Sequence, residues 1–415
     1  MFDICYYHSP CSDGITAAWS AYLYCENLEL KGIRPTYNKY NKDNLKNKKI
    51  VFVDICPLIS EFDNILSEVD KIVLLDHHKT NAEIYQSQEF LDKYDTEIKT
   101  GKLEIIIDMK RSGCQIAWDY FTFLTNENKF RWINLTTTIH NGTIRPWFID
   151  YVADADLWTW KLKNSKEINI ALNKLKHLDS IDNICKLFKQ SYVNYNYGLK
   201  ENLESLLLEF QIYGSDLIKE DNKLIEHYLN NKTELRLYFN KEINTYQLIS
   251  FIICEHSEIR SELGNKSLNI RYNLYDEYTR DNINKIIRLA NKNGIRLSKK
   301  LEKLINFYNT DFPSKDYINV TVLSNIHDST KIKNRIQNTG LQPDFAVIVN
   351  EIKDDNFIGL SLRSNVEYGL QDVSIIAKQL DGGGHANASG GRLVYNKQLN
   401  KNVISIMNDT FIKIT

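Results

Sequence analysis

Four apolar runs, each closed by a carboxylate or an imidazole, restrict this chain more than any other feature. They read "FDICYYH", "KIVFVDICP", "KIVLLDHHKT" and "LEIIIDM". Stretches with helical periodicity separate them, among them "GITAAWSAYLYCENL", a segment around Ile59 to Val69, and "SGCQIAWDYFTFL". Continuous β-branched runs alternating with helices predict a parallel sheet covered on both faces. Ligands of such sheets bind beyond the carboxyl ends of the strands. His8, Asp54 and Asp76 sit at the ends of their runs, so all three are expected on one rim.

Length and composition bound the rest. The 415 residues suffice for two or three domains, and a hydrophobic share of 43% supports full cores. There is no run of 18 apolar residues, which excludes a membrane span. The opening "MFDICYYHSP" has no basic segment leading into an apolar one, so no secretory signal is expected. Seven cysteines without a CxxC pair argue for a reducing compartment, hence a cytoplasmic protein. A net charge of −1 excludes a grossly basic nucleic-acid-coating protein but leaves room for a local basic groove.

Four segments offer metal ligands at strand ends or in the loops after them. These are "YYHSPCSDG" (His8, Asp13), "FVDICP" (Asp54), "LLDHHKT" (Asp76, His77, His78) and "YVADADLWTW" (Asp154, Asp156). Carboxylates mixed with imidazoles, without a thiolate cluster, suit manganese, magnesium or iron better than structural zinc. Several carboxylates on one rim repel one another unless cations neutralise them. A lone Asp after a strand ordinarily caps a helix, and a lone His is ordinarily a satisfied polar residue. The Asp-His-His triplet is more specific. In an extended backbone His77 and His78 point in opposite directions, one able to ligate and the other to face substrate.

Taken together, these motifs resemble the DHH family of phosphoesterases, named for the triplet found here as Asp76, His77 and His78. The first motif, "HSPCSDGITAAW", looks like the branch that reads H-x-x-C-x-D-G. The similarity continues through "VDICP", "LLDHHKT", "DMKRSGCQIAW" and "YVADADLWTWKL", over residues 1 to about 175. The resemblance implies two manganese ions, with magnesium as the alternative. One would be held by His8 and Asp54, the other by Asp13, Asp54, His77 and Asp154, with Asp54 bridging. Asp156 stays open as the alternative to Asp154. Asp76 would support the ligands from behind, and His78 would contact phosphate. Arg111 and Ser112 match a family motif near the site, although a helix-start turn also explains them. Many family members carry an Asp where this chain has Cys11, whereas the similar branch also has Cys there. A thiol there either ligates manganese weakly or leaves the first ion less tightly held. The Arg common in the related pattern is Ala155 here.

"DGGGHANASGG" (Asp381 to Gly391) follows an amphipathic helix. Consecutive glycines let a backbone approach an anion closely, although a bare glycine loop is ordinarily a turn. The pattern resembles the signature of the C-terminal DHH-associated domain, as do "DFAVIV", "LSLRSN" and "DVSIIAKQL" before it. The resemblance implies substrate binding by Gly383, Gly384 and His385, with Arg363 and Ser364 as companions. "SELGN" (Ser261 to Asn265) resembles the start of that domain.

The expected architecture is α/β. It comprises a parallel-sheet DHH domain (1–163), a helical connector (164–232) and a smaller α/β C-terminal domain (233–415) across a cleft. A basic helical insertion at 266–340 splits the last. From Lys266 to Arg335 there are 14 Lys and Arg against seven Asp and Glu. The insertion reads as a solvated helical hairpin, or as a surface for single-stranded nucleic acid using Tyr272, Tyr275 and Tyr278. The expected function is manganese-dependent hydrolysis of short single-stranded oligonucleotides or small nucleotide phosphodiesters, with His78, His385 and Arg363 neutralising the phosphoryl oxygens. Cyclic dinucleotides, phosphoadenosine phosphate or polyphosphate are alternative substrates, and a metal-free nucleic-acid-binding scaffold is the alternative class. No membrane partner is expected, and a homodimer stays open.

Overall fold

A computed structural model describes residues 1–25, 27–33, 44–124, 129–130, 133–134, 145–196, 200–243, 245–256, 259–268, 296–297, 343–350, 357–366, 370–394 and 411–413. The α/β class expected above is borne out. The chain divides into two compact units, Met1–Asp221 and Asn222–Thr415.

The first unit opens with β1 (Ile4–His8), α1 (Ser12–Tyr24), β2 (Glu29–Ile33), β3 (Lys49–Val53), α2 (Ile59–Glu68) and β4 (Lys71–Asp76). Three short helices follow, α3 (Lys79–Tyr85), α4 (Gln88–Lys93) and α5 (Asp95–Lys99), then β5 (Leu103–Ile107) and α6 (Gly113–Leu124). A small antiparallel pair, β6 (Lys129–Phe130) and β7 (Ile133–Asn134), precedes α7 (Trp147–Asp156), α8 (Ser165–Lys174), α9 (Ile181–Asn196) and α10 (Lys200–Asn231). The five main strands form a wholly parallel sheet in the order β2-β1-β3-β4-β5.

Alternation along the strands decides what covers each face. Val51, Val53, Val73 and Leu75 pack on one side with residues of α1, α6, α7, α8, α9 and α10. Ile50, Phe52, Ile72 and Leu74 pack on the other side with residues of α2, α3 and α4. Trp19 of α1 and Trp118 of α6 stack with ring centroids 5.7 Å apart, both fully buried. Both faces are therefore apolar, which is why the strand sequences run unbroken. In β1, β3 and β4 charged side chains are left only the strand ends. All five strands run in one direction, so His8, Asp54 and Asp76 share a rim.

The second unit takes the end of α10 and then β8 (Thr233–Asn240), β9 (Thr245–Ile253), α11 (Arg260–Ser267), β10 (Arg296–Leu297), β11 (Phe345–Asn350), β12 (Phe357–Arg363), α12 (Val373–Gln379), β13 (Gly383–Gly384), β14 (Ala388–Val394) and β15 (Phe411–Lys413). Its sheet is mixed, ordered β13-β14-β12-β11-β9-β8-β15, with β10 added alongside β9. One face packs against Ile225 and Tyr228 of α10 and Leu263 of α11. The other packs against Val373, Ile376 and Ala377 of α12. Apart from β10, the segment 269–342 lies outside the described residues, and with it Tyr272, Tyr275, Tyr278 and most of the expected insertion.

Candidate metal centre

Asp54 is the hub of the rim. It follows β3 in a left-handed backbone conformation, φ +58°, which is unfavourable for a residue with a Cβ. Its N–H still donates to the Leu75 carbonyl at 2.8 Å, so β3 stays tied to β4 through the bend. Such a conformation costs of order 1–3 kcal/mol and persists when its surroundings hold it. Here the surroundings are imidazoles. Asp54 Oδ1 lies 3.0 Å from His77 Nε2, and Oδ2 lies 3.3 Å from His8 Nδ1.

Around this pair the other donors converge. His77 Nε2 is 3.5 Å from Asp13 Oδ2 and 3.4 Å from Asp156 Oδ2. His77, Asp13 and Asp54 are all essentially removed from solvent. Asp13 stands in the first turn of α1, and the N-terminus of α6 reaches its carboxylate. Gly113 N–H donates to Asp13 Oδ2 at 2.6 Å and Cys114 N–H to Oδ1 at 2.9 Å. A Cβ on Gly113 would fall 2.5 Å from Asp54 Cβ and 2.9 Å from Asp13 Oδ2. Gly14 is under the same restriction, because its Cβ would lie 2.1 Å from the His8 carbonyl oxygen. Both glycines are there for close approach rather than for flexibility.

The electrostatics show what the cluster lacks. Burial, with Asp54 and Asp156 beside it, pushes the Asp13 carboxyl up to about 7. Burial alone would raise Asp54 too, but the hydrogen bond from His77 and the neighbouring His8 imidazole hold it well below the carboxylate range. Burial disfavours a charged His77, yet Asp156 and Asp54 outweigh that and hold it well above the ordinary imidazole value. Protons thus substitute for cations between three carboxylates and two imidazoles. Asp54 Oδ2 accepts no hydrogen bond although it is buried. An orphaned carboxylate oxygen, buried carboxylates and imidazole nitrogens on one rim fit a divalent cation set with O and N donors. His8, Cys11 and Asp54 each offer an atom within 4.8 Å of the others', and so do Asp13, His77 and Asp156.

Asp76 organises the next residues. Its Oδ1 accepts the backbone N–H groups of His77 at 2.7 Å and His78 at 3.2 Å, and lies 2.7 Å from His78 Nδ1. Asn81 donates to its other oxygen. Burial would raise this carboxyl, but the charge and hydrogen bond of His78 hold it below the ordinary range. His78 itself keeps an extended backbone, at φ −72° and ψ 128°, but its Nδ1 is drawn back onto Asp76. The two imidazoles do not diverge, and their centroids are 4.7 Å apart. Asn81 was not singled out in the sequence. Its place in the first turn of α3, five residues after Asp76, was the available signal.

Of the two carboxylates of "ADADLW", the structure brings Asp156 to His77 and not Asp154. Asp154 Oδ1 accepts Lys161 N–H at 2.9 Å, its Oδ2 accepts Leu162 N–H at 3.0 Å, and the Thr159 hydroxyl donates to it as well. The expected ligand is thus occupied in holding the loop after α7. Burial alone would raise Asp154, but Ser165, Thr159 and the two N–H groups keep it low. Arg111 likewise makes its polar contacts to Asp108 Oδ2 at 2.8 Å and Asp119 Oδ2 at 2.9 Å, and none to the cluster. Ser112 is buried, with Oγ 3.2 Å from Cys114 Sγ.

In the second unit, the glycine run forms a tight hairpin. Gly383 and Gly384 pair with Gly390 and Ser389. A Cβ on Gly382 would lie 1.9 Å from the Gly390 oxygen, and one on Gly384, at φ +138°, 2.8 Å from the Ala388 oxygen. His385 N–H donates to Ala388 O at 2.8 Å, and the Ser389 hydroxyl donates to His385 O at 2.7 Å. Arg363 donates to Ser261 Oγ at 2.6 Å and to the Leu362 carbonyl at 2.8 Å. Desolvation and the neighbouring Arg260 push its guanidinium down to about 10. Ser364 is buried, and its hydroxyl has no hydrogen-bond partner among the described residues.

Among the described residues no helix is long and apolar enough to cross a membrane. No family model matches the chain. An uncharacterised protein of Acanthamoeba polyphaga mimivirus is 24% identical over 281 residues, which are 64% of this chain and 54% of that one. The match thus spans about half the length of that curated relative. Among solved structures, an uncharacterised protein from Helicobacter pylori G27 is 14% identical, with a TM-score of 0.31 and 99% of each chain covered. A pGpG-specific phosphodiesterase from Vibrio cholerae is 9% identical, with a TM-score of 0.34 over 99% of this chain and 100% of that one. CDC45 from Entamoeba histolytica is 10% identical, with a TM-score of 0.31 over 98% and 94%. At such scores these likenesses carry no chemistry across, and the site stands on its own geometry: a buried Asp/His cluster with the donors to hold a metal ion.

Proposed function

We propose that this chain is a phosphoesterase dependent on two divalent cations, manganese foremost, acting on short single-stranded oligonucleotides or small nucleotide phosphodiesters. The observation that carries this reading is the position of Asp54. It is buried between two imidazoles, with Asp13 and Asp156 converging on His77 beside it and one of its own oxygens left unsatisfied. His8 and Asp54 would hold one cation, and Asp13, His77, Asp156 and Asp54 the other. Bound there, such a pair supplies Lewis acidity to a phosphoryl group and an acidified water.

The protein's own groups do the rest. Asp76 orients the His78 imidazole through Nδ1, and this ring would contact a phosphoryl oxygen of the substrate. Gly113 and Cys114 N–H groups fix the Asp13 carboxylate so that it does not rotate away. In the second unit, Arg363 and Ser364 would bind the phosphate of the substrate. A guanidinium that is desolvated, near Arg260 and without a carboxylate partner among the described residues supports this role.

The test is metal content and hydrolysis of a generic phosphodiester by wild type and by Asp54→Ala. The expected result is bound manganese and activity in wild type, and loss of both in the variant. Folded wild type with neither metal nor activity would overturn the reading in favour of a binding scaffold. A panel of dinucleotides, longer single strands, cyclic dinucleotides and polyphosphate then separates the substrate classes.

A further inference from the structure

We propose that Cys11 is a ligand at one of the two cation positions, which makes the two positions chemically unequal; the inference rests on the metal-centre reading above. Cys11 is the N-cap residue of α1, with φ −151° and ψ 133°, and its sulfur offers the helix no more than a weak contact with the Gly14 N–H. Ser, Thr, Asp and Asn are the residues that stabilise an N-cap, typically by about 1 kcal/mol, so helix stability does not account for a thiol here. The remaining six cysteines are buried, whereas Cys11 is partly exposed. Its sulfur, His8 and Asp54 place their donor atoms within 4.8 Å of one another. The hydrogen-bond-free oxygen of Asp54 is Oδ2, the one that faces His8.

The donors at this position are imidazole nitrogen, thiol sulfur and carboxylate oxygen. Those at the other are two carboxylates and an imidazole, from Asp13, Asp156 and His77. A sulfur donor favours zinc, cobalt(II) and iron(II) over manganese and magnesium, and a carboxylate-rich set favours the harder ions. On binding, the Cys11 S–H bond breaks, its proton leaves to solvent, and the thiolate replaces a water on the cation. The first position is thus selective for a softer ion and the second for manganese or magnesium.

Cobalt(II) reads this directly, because a thiolate ligand adds a near-ultraviolet charge-transfer band to the visible bands of the ion. Titration of the full chain is expected to give both. Cys11→Ser should lose the near-ultraviolet band, keep visible bands from the second position, and bind zinc at least about tenfold more weakly, as even loss of an outer-shell partner does. Cys11→Asp supplies a hard ligand whose oxygen lies one bond further from the backbone than the cysteine sulfur. It should lack the band and hold two manganese ions, counted by metal analysis, so the test stands if the serine variant folds poorly. Visible bands without the near-ultraviolet one, or a band that survives in both variants, overturns the Cys11 assignment and leaves the metal centre standing. Folded wild type that binds no cobalt overturns both.

Discussion

The rim of the first sheet and the glycine-rich hairpin of the second unit both consist of residues that are unusual for their positions, but for opposite reasons. At the rim, Gly113 lacks a Cβ so that charged groups can be forced together, and Asp54 accepts a strained backbone to stay among them. At the hairpin, Gly382 and Gly384 lack a Cβ because backbone meets backbone. The rim concentrates electrostatic stress that something else must relieve, whereas the hairpin relieves its own by hydrogen bonding. A glycine in a motif therefore says little until the atom that its missing Cβ would meet is known.

Substitution of the glycines breaks this comparison most severely. Gly113→Ala should displace Asp54 or Asp13 and lower the proposed phosphodiesterase activity by about 100-fold or more, since a 1 Å misplacement costs that much. Gly382→Ala should instead destabilise the second unit while the metal content stays at the wild-type level. Gly390→Ala, whose Cβ would have only ordinary contacts, should be nearly silent in thermal melts. Equal effects of all three on bound metal would refute the contrast.

The two carboxylates of α7 provide the next largest effect. Asp156→Asn should weaken manganese binding by at least about 10–100-fold without lowering the melting temperature of the cation-free protein. Asp154→Asn should do the reverse, retaining metal and losing about 1–3 kcal/mol of stability as its loop contacts fail. Metal analysis and denaturant melts of both variants decide the assignment.

Acidity distinguishes a strained cluster from a satisfied one. The folded Asp13 value of about 7 lies above its unfolded one, so its stability is complete below about pH 4 and is lost as pH rises through 7. His77, also held above its ordinary value, acts in the same sense. Its contribution is complete below about pH 6.5 and lost as pH rises through its folded value. Asp54 acts in reverse, contributing above about pH 4 and failing on acidification through its depressed value. The cation-free protein should therefore melt lower at pH 9 than at pH 6, by a few kcal/mol, with saturating manganese cancelling the loss. A flat profile without cation would sink the account.

The smallest effect concerns the hairpin. His385→Ala should raise KM several-fold while the metal content is unchanged. A drop in bound metal would mean that His385 serves the ions rather than the substrate.

Much of the fold was legible because both faces of the first sheet are buried, so its strands are unbroken apolar runs whose ends stand out. His8, Asp54 and His77 were readable for the same reason, as was Asp13 at the start of a patterned helix. Three things were not. Asp154 and Asp156 both lie on α7, about 200° apart around its axis, so packing alone selects the one that faces the rim. The N–H groups that hold Asp13 come from residues 100 and 101 positions further along the chain. The close approach of the two imidazoles depends on the hydrogen bonds that Asp76 makes with its own neighbours.

By itself, the sequence determined which segments are buried and which donors are available, because hydrophobic periodicity is local. Which donors meet was decided only by the tertiary structure. Convergence on Asp54 requires β1 and β4 to flank β3 and the end of α6 to reach α1 across the rim. Strand order and long-range approach depend on the packing of the whole unit, and no local stretch of residues encodes them.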